Sequence, residues 1–265
     1  MIKKVFTVWL LAVAAWSCAT VPVTGRKQLS LVSNDEIIAQ SAVEYKNVLD
    51  SSKLSTNAEQ VAMIKRVGAR IQGAVESYMA QKGLSDQLKG FKWEFNLIQD
   101  DKTVNAWCMP GGKVAFYTGI LPICKDETGI AIVMGHEVAH AIANHGRERM
   151  SEAMLANGLL SGLSTAVGQN PTLTQQLLLQ SVGVGANLGM LKFSREDESE
   201  ADHIGLIFMT MAGYDPEQAP IFWQRMQSVG GQKPPEFLST HPADETRIRD
   251  LQKWIPEAKT YQKKK

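Results

Sequence analysis

The chain is poor in several things that would have fixed its class at once. Cysteine is scarce, three in 265 residues, and no CxxC pair occurs, so neither a disulfide-stapled miniature scaffold nor a cysteine-built zinc ribbon fits. Excess charge of either sign is missing too. With 28 Lys and Arg against 27 Asp and Glu there is no basic field of the kind that neutralises phosphates, which argues against nucleic acid as a partner. No apolar run reaches the roughly 20 residues that a membrane-spanning helix needs, and no repeat of about 20 to 50 residues announces a solenoid. A chain of this length buries a core unaided, so it needs no metal merely to fold.

What is present begins with an export signature. "MIKKVFTVWLLAVAAWSC" carries Lys3 and Lys4, a largely apolar stretch from Val5 to Ala15, and small Ser17 directly before Cys18. The stretch reads as a signal peptide over residues 1–17. A signal ending at cysteine resembles the bacterial lipoprotein signal, which makes Cys18 the lipidated first mature residue and a membrane anchor; ordinary secretion with cleavage nearby is the alternative. Export implies an oxidising compartment, in which Cys108 and Cys124 are an even pair. A Cys108–Cys124 disulfide and two buried thiols are the two readings.

Residues 18–33 lack periodicity and read as a tether or strap, followed by a domain over residues 34–260 and a basic tail over 261–265. Helical spacing of apolar residues predicts one helix through "DEIIAQSAVEYKNVLDS" and a second through "TNAEQVAMIKRVGARIQGAVESYMAQKG", where Val61, Ile64, Val67, Ile71, Val75 and Tyr78 form a stripe and Gly83 ends it. The period then drops to two in "KWEFNLI", "VNAWCM" and "GKVAFYTG", predicting strands. It becomes helical again from Asp126 through Gly146. Residues 153–191 contain no charged side chain and predict a helical hairpin, either core or a lid beside the site. Helices around a small sheet make an α+β fold. The segment "QKPPEFLSTHP" reads as a loop between the two last helices.

The chemistry sits in "MGHEVAHAIANHG". His136 and His140 lie one turn apart on one helix face, where two imidazoles can grip a single ion, and Glu137 lies within reach of a water held by that ion. This His-Glu-x-x-His spacing is the zincin motif, in which the histidines bind zinc and the glutamate is the general base. His145 fails as a third ligand, since five residues past His140 is about 500° of rotation, about 140° off that face. Its expected place is the helix C-terminus, against the negative end of the dipole. A third ligand is offered by "FSREDESEADHIG", where Ser194 and Asp197 form a capping box that starts a helix. Glu198 and Asp202 then share a face, and small Ala201 and Gly205 let this helix approach the His136 helix closely. Glu198 is the expected ligand, and Asp202 the acceptor for the second ring N–H of a ligating histidine. Glu196 and Glu200 form a rival pair on another face, read as solvated charge.

These residues carry a resemblance. "HEVAH" followed by "SREDESEADHIG" resembles the Glu-zincin (gluzincin) family of HtpX-, BepA- and LoiP-like zinc metalloproteases and CaaX prenyl endopeptidases, whose pattern is His-Glu-x-x-His and then Glu-x-x-x-Asp. "PVTGRKQLSLVS", "NAWCMPGGKVAFYTGIL" and "STHPADETRI" extend the likeness over nearly all of the mature chain, nearest to the LoiP-like lipoprotein branch. The resemblance implies a mainly helical zincin domain with a small β-sheet beside the motif helix, and one Zn²⁺ per chain on His136, His140 and Glu198, supported by Asp202. It implies His241 as a group that stabilises an oxyanion or takes the open zinc position in a resting state, and Arg247 as an orienting or oxyanion group. It further implies a bacterial cell-envelope location on the periplasmic side, at the outer rather than the inner membrane.

Such a site would hydrolyse peptide bonds, with Glu137 passing a proton from water to the leaving amine. Unfolded or misfolded envelope proteins are the expected substrates. Their backbone is expected to add as a strand along Gly112, Lys113, Val114, Ala115, Phe116 and Tyr117. An envelope chaperone or assembly factor that holds clients is the alternative, although holding alone does not require Glu137.

Overall fold

The computed structural model describes residues 18–21, 23–156, 171–181, 193–229, 236–241 and 245–262. The expected signal peptide, most of the uncharged hairpin and the end of the basic tail lie outside the described residues. The strap folds back on itself as an antiparallel pair, β1 (Cys18–Thr20) and β2 (Lys27–Leu29). Helix α1 (Asn34–Ser51) starts where Ser33 Oγ accepts the Glu36 N–H at 3.2 Å, an N-cap that satisfies one orphan donor of the first turn. Helix α2 (Ala58–Gln81), capped by Asn57, buries Ile64, Val67, Ile71, Val75 and Tyr78 along its stripe.

The sheet has three strands: β3 (Glu94–Ile98), β4 (Ala106–Met109) and β5 (Lys113–Tyr117). Their spatial order is β3-β5-β4, with β3 parallel and β4 antiparallel to β5. The turn from β4 to β5 passes through Gly111 and Gly112 at φ 85° and 79°, a region that side chains rarely enter. This order corrects the expected substrate strand. Residues Gly112 to Tyr117 form or adjoin the central strand, whose backbone is committed on both sides to β3 and β4, so no further chain can pair with it. The outer edge of β3 is engaged as well, by a bridge from Leu54 to Ile98 and by the Ser55 N–H on Leu97 C=O at 2.8 Å. The other edge belongs to β4.

A short helix α3 (Leu121–Cys124) leads to α4 (Glu127–Ile142), which begins where Asp126 Oδ1 accepts the Gly129 N–H at 3.0 Å. From Gly129 to Ile142 every residue of α4 is buried, because β4, α2, α3 and the helices that carry Glu198 and Trp223 surround it. Helix α4 stops at Ala143. Asn144 then adopts φ 59°, the left-handed conformation that asparagine tolerates, and a separate α5 (His145–Ala156) begins. Next come α6 (Pro171–Ser181), α7 (Arg195–Met211) and α8 (Gln218–Ser228). Short α9 (Glu236–Thr240) lies in the segment expected as a loop, its Phe237 packed fully into the core, and α10 (Glu245–Thr260) follows. The fold is α+β, with helices dominant.

Of the two readings of Cys108 and Cys124, the structure bears out the buried thiols and not the disulfide. Cys108 on β4 and Cys124 at the end of α3 are both free thiols, each buried, and burial pushes both up from the ordinary thiol range. They pack as small apolar side chains in the main core and form no disulfide.

Helices α4 and α7 cross with backbone against backbone. A Cβ placed on Gly205 would stand 2.8 Å from the His136 nitrogen, and one on Gly135 would stand 2.9 Å from the Gly205 carbonyl oxygen. Gly205→Ala should therefore push the helices apart and destabilise the protein by about 1–3 kcal/mol, as overpacking of a dense core does. Denaturant unfolding checks this; an unchanged midpoint would show that the crossing has slack.

Candidate metal centre and active site

The glycine crossing sets His136 and His140 of α4 opposite Glu198 of α7. His140 Nε2 is 3.1 Å from His136 Nε2 and 3.3 Å from Glu198 Oε1, and His136 Nε2 is 3.5 Å from Glu198 Oε2. His241, which follows α9, completes the group: its Nδ1 lies 2.8 Å from Glu198 Oε1 and 3.2 Å from His136 Nε2. Candidate ligand atoms of His136, His140, Glu198 and His241 all fall within 4.8 Å of one another. Two imidazoles and a carboxylate converging on one point, with a third imidazole beside them, match the donor chemistry of a divalent transition-metal ion. Glu137 points the same way. Its Oε1 is buried without a hydrogen bond, 3.5 Å from His241 Nε2, so a carboxylate oxygen faces the cluster with no partner of its own.

Asp202, one turn beyond Glu198, places Oδ1 3.0 Å from His136 Nδ1. Accepting that N–H leaves the His136 Nε2 lone pair directed at the cluster. Arg247 of α10 joins the two α7 carboxylates, with Nη1 2.9 Å from Glu198 Oε2, Nη2 2.8 Å from Asp202 Oδ1, and Nε donating to Asp202 Oδ2. Its guanidinium lies over the Trp223 ring at 3.5 Å, and Trp223 in turn meets the His136 ring edge-on at 5.4 Å. Arg247 thus ties Glu198 and Asp202 together. His241 is clamped between Phe193 and Phe237, ring centroids 4.9 and 4.6 Å away and nearly parallel. A cavity of about 310 Å³ reaches the cluster at Glu198, bounded by Phe193, Arg195, Asp202, Arg247 and Trp254.

Two sequence expectations fail beside this cluster. His145 is not at the end of α4 facing its dipole. The left-handed Asn144 turns the chain, and His145 opens α5 fully buried, with Nδ1 2.8 Å from His140 Nδ1. Glu200 is not on a solvated face either; it is buried, and its Oε2 is 2.9 Å from His145 Nε2, whereas Glu196 is exposed. Arg26 from the strap reaches in to bond Glu200, Glu148 and Asp197. Sequence reasoning missed His145, Glu200 and Arg26 as neighbours of the site. The one local signal was Asn144, a residue able to reverse the chain immediately before His145.

Burial and charge oppose each other throughout. Burial pushes the Glu198 carboxyl up, but His241, Arg247 and the hydrogen bonds from His136 and His140 outweigh it and hold the group well below the carboxylate range. Burial likewise raises Glu200, and its bonds to His145, Thr24 and Arg26 bring it down to about 2. Glu137 has no such rescue. Burial dominates and raises it to about 8, against the partial opposition of His136. A carboxyl poised near neutrality can both take and return a proton.

A family model described as "Peptidase family M48" matches residues 65–255. The chain belongs to peptidase family M48. This makes it a metallopeptidase of the hydrolase class. The family match takes in α4, α7 and most of α10, and with them every residue of the cluster. Among similar M48 proteins, "Mitochondrial metalloendopeptidase OMA1" of Schizosaccharomyces pombe is 37% identical over 246 residues, 90% of this chain and 66% of that protein. Its namesake in Saccharomyces cerevisiae is 32% identical over 247 residues, 89% and 69% of the two chains. The "Beta-barrel assembly-enhancing protease" of Escherichia coli is 30% identical over 165 residues, 60% of this chain and 33% of that protein. The chain spans from about a third to about two thirds of these relatives.

The comparison corrects the expected location. The two mitochondrial metalloendopeptidases precede the bacterial protease in both identity and coverage, and this overturns the bacterial periplasmic assignment made from the N-terminus and the family resemblance. These comparisons show membership of family M48 and do not single out an HtpX- or LoiP-like branch within it. Among the described residues no helix is long and apolar enough to cross a membrane.

The Glu137 carboxyl yields a pH test on chelated protein. Unfolded, the group titrates near 4.5; folded, near 8, so between those values the folded state holds the extra proton. Stability present at low pH is therefore lost as pH rises from about 4.5 to about 8. The thermal midpoint of wild type should fall relative to that of Glu137→Gln across this window. A constant difference between the two proteins would show that Glu137 is not desolvated.

Proposed function

We propose that this M48 chain is a zinc-dependent endopeptidase that cleaves unfolded or misfolded polypeptides. The observation that carries the reading is the convergence of His136, His140 and Glu198 on one point with the unpartnered Glu137 Oε1 beside it. The three first-named residues would hold Zn²⁺, one ion per chain. When bound, zinc acts as a Lewis acid that polarises a carbonyl and makes water acidic enough to attack near neutral pH.

The chain's own groups then do the proton work. Glu137 accepts the proton of the attacking water as the new carbon–oxygen bond forms. It returns that proton to the amide nitrogen as the carbon–nitrogen bond breaks, so it leaves the cycle unchanged. Arg247 and Asp202 keep Glu198 and His136 in place throughout. His241 has two roles in succession. Wedged between Phe193 and Phe237 against Glu198 and His136, it blocks the centre in a resting state; swung outward, its ring N–H donates to the oxyanion of the tetrahedral intermediate.

Substrate backbone adds along β4, the sheet edge that packs against α4, rather than along β5. Pairing through the main chain recognises extended chain and is tolerant of side chains, which suits unfolded clients.

Casein cleavage by wild type, Glu137→Gln and chelator-treated protein tests the reading. Glu137→Gln should lose activity by about 100- to 10,000-fold with zinc still bound, and the chelated protein should regain activity on zinc addition. Equal cleavage by all three would refute a metalloprotease. His241→Ala separates its two roles: a lower kcat marks the oxyanion donor, a higher rate marks release of the block, and an unchanged profile removes both.

A further inference from the structure

His140 presents Nε2 to the cluster, which leaves Nδ1 facing His145 Nδ1 at 2.8 Å. An imidazole that offers one nitrogen's lone pair to a cation carries its proton on the other. His140 Nδ1–H therefore donates and His145 Nδ1 accepts. That fixes the His145 proton on Nε2, where it is donated to Glu200 Oε2 at 2.9 Å.

The carboxylate at the end of this relay is held from the strap. Arg26 Nε donates to Glu200 Oε2 at 2.9 Å, and Thr24 Oγ1 donates to Glu200 Oε1. The remaining Arg26 donors form a fork on Glu148, at 3.0 and 2.7 Å, and reach Asp197 Oδ1 at 3.3 Å. Glu148, Asp197, Glu200 and His145 are all buried, so one guanidinium from the strap balances three carboxylates in the interior. His145, Asp197 and Glu200 also converge closely enough to hold a cation, and Arg26 already supplies that positive charge. The two candidate ligands are thus served unequally. His136 meets its carboxylate, Asp202, directly, whereas His140 reaches Glu200 only through a second histidine.

We propose that Arg26, seconded by Thr24, is a positioning residue of the metal centre: acting through Glu200 and His145 it fixes the tautomer and orientation of His140, which makes the strap a part of the active site. This rests on the reading of His140 as a zinc ligand. The consequence is that zinc affinity depends on a residue in the chain's N-terminal hairpin, outside the segment matched by the family model.

The test measures zinc affinity of the full chain by chelator competition, and the visible absorption of the cobalt-loaded protein, whose bands follow ligand geometry. Glu200→Gln keeps the shape of the relay and removes its charge; Arg26→Ala removes the clamp; Arg26→Lys keeps the charge without the fork. Glu200→Gln and Arg26→Ala should each weaken zinc binding by about 10- to 100-fold, the range of such outer-shell losses, and shift the cobalt bands, with Arg26→Lys recovering part of both. In a His145→Phe background, where the link is already cut, Arg26→Ala should cost no further affinity. A folded Glu200→Gln with wild-type zinc affinity and cobalt spectrum overturns the relay. So does an Arg26→Ala penalty undiminished by His145→Phe, which marks a general loss of stability. Should Arg26→Ala fail to fold, Glu200→Gln and His145→Phe decide the matter. Wild type that binds neither zinc nor cobalt refutes the metal reading itself, and the relay with it, and this outcome is told apart by the wild-type arm alone.

Discussion

The site depends on a contact that involves no functional side chain, the passage of Gly135 on α4 across Gly205 on α7. Two helices with ordinary side chains at the crossing pack about 8–10 Å apart. Here a single added Cβ would collide with the backbone of the other helix. Because His136 follows Gly135 directly and Glu198 and Asp202 lie within two turns of Gly205, the spacing of ligands from two distant parts of the sequence is set by the absence of atoms between them. The sheet and the surrounding helices then hold α4 buried along nearly its whole length.

Density has an electrostatic cost. His136, Glu137, His140, Glu198, Asp202, His241 and Arg247 are all buried, removed from the bulk solvent that would otherwise stabilise their charges. The interior solves this by pairing. Arg247 lies between Glu198 and Asp202 and rests on Trp223; Arg26 lies among Glu148, Asp197 and Glu200. Breaking such a buried set by removing one partner is far more damaging than forming it is favourable. Glu137 stands outside both sets, and its unshared oxygen is the exception that the proposed chemistry needs.

Much of this was legible in the sequence, because its physics is local. The i, i+4 spacing of His136 and His140, the capping box at Ser194 and Asp197, and the small residues opposite them are all written within single helices, and the helical stripes of α1 and α2 likewise. Strand order was not. Nothing in "GKVAFYTG" distinguishes a central strand from an edge, since that is decided by which partners arrive from elsewhere, and β3 and β4 both arrive at β5. The two readings of the cysteines stayed open for a related reason: an even number permits a disulfide, but only tertiary placement brings two thiols together. His145 was set aside as a ligand on the geometry of a helix that stops short of it, since α4 ends at Ile142 and the left-handed Asn144 turns the chain. Arg26 and Glu200 lie 174 positions apart in the chain, and no periodicity connects them.

Trp223 lends the site an optical property. Its indole ring bears the Arg247 guanidinium on one face, 3.5 Å away, and lies against the His136 imidazole, 5.4 Å away. Indole emission responds to the field of nearby charges and is quenched by a protonated imidazole. Any event that changes the charge on His136 or shifts Arg247 therefore alters the emission of a native residue, one of six tryptophans in the chain.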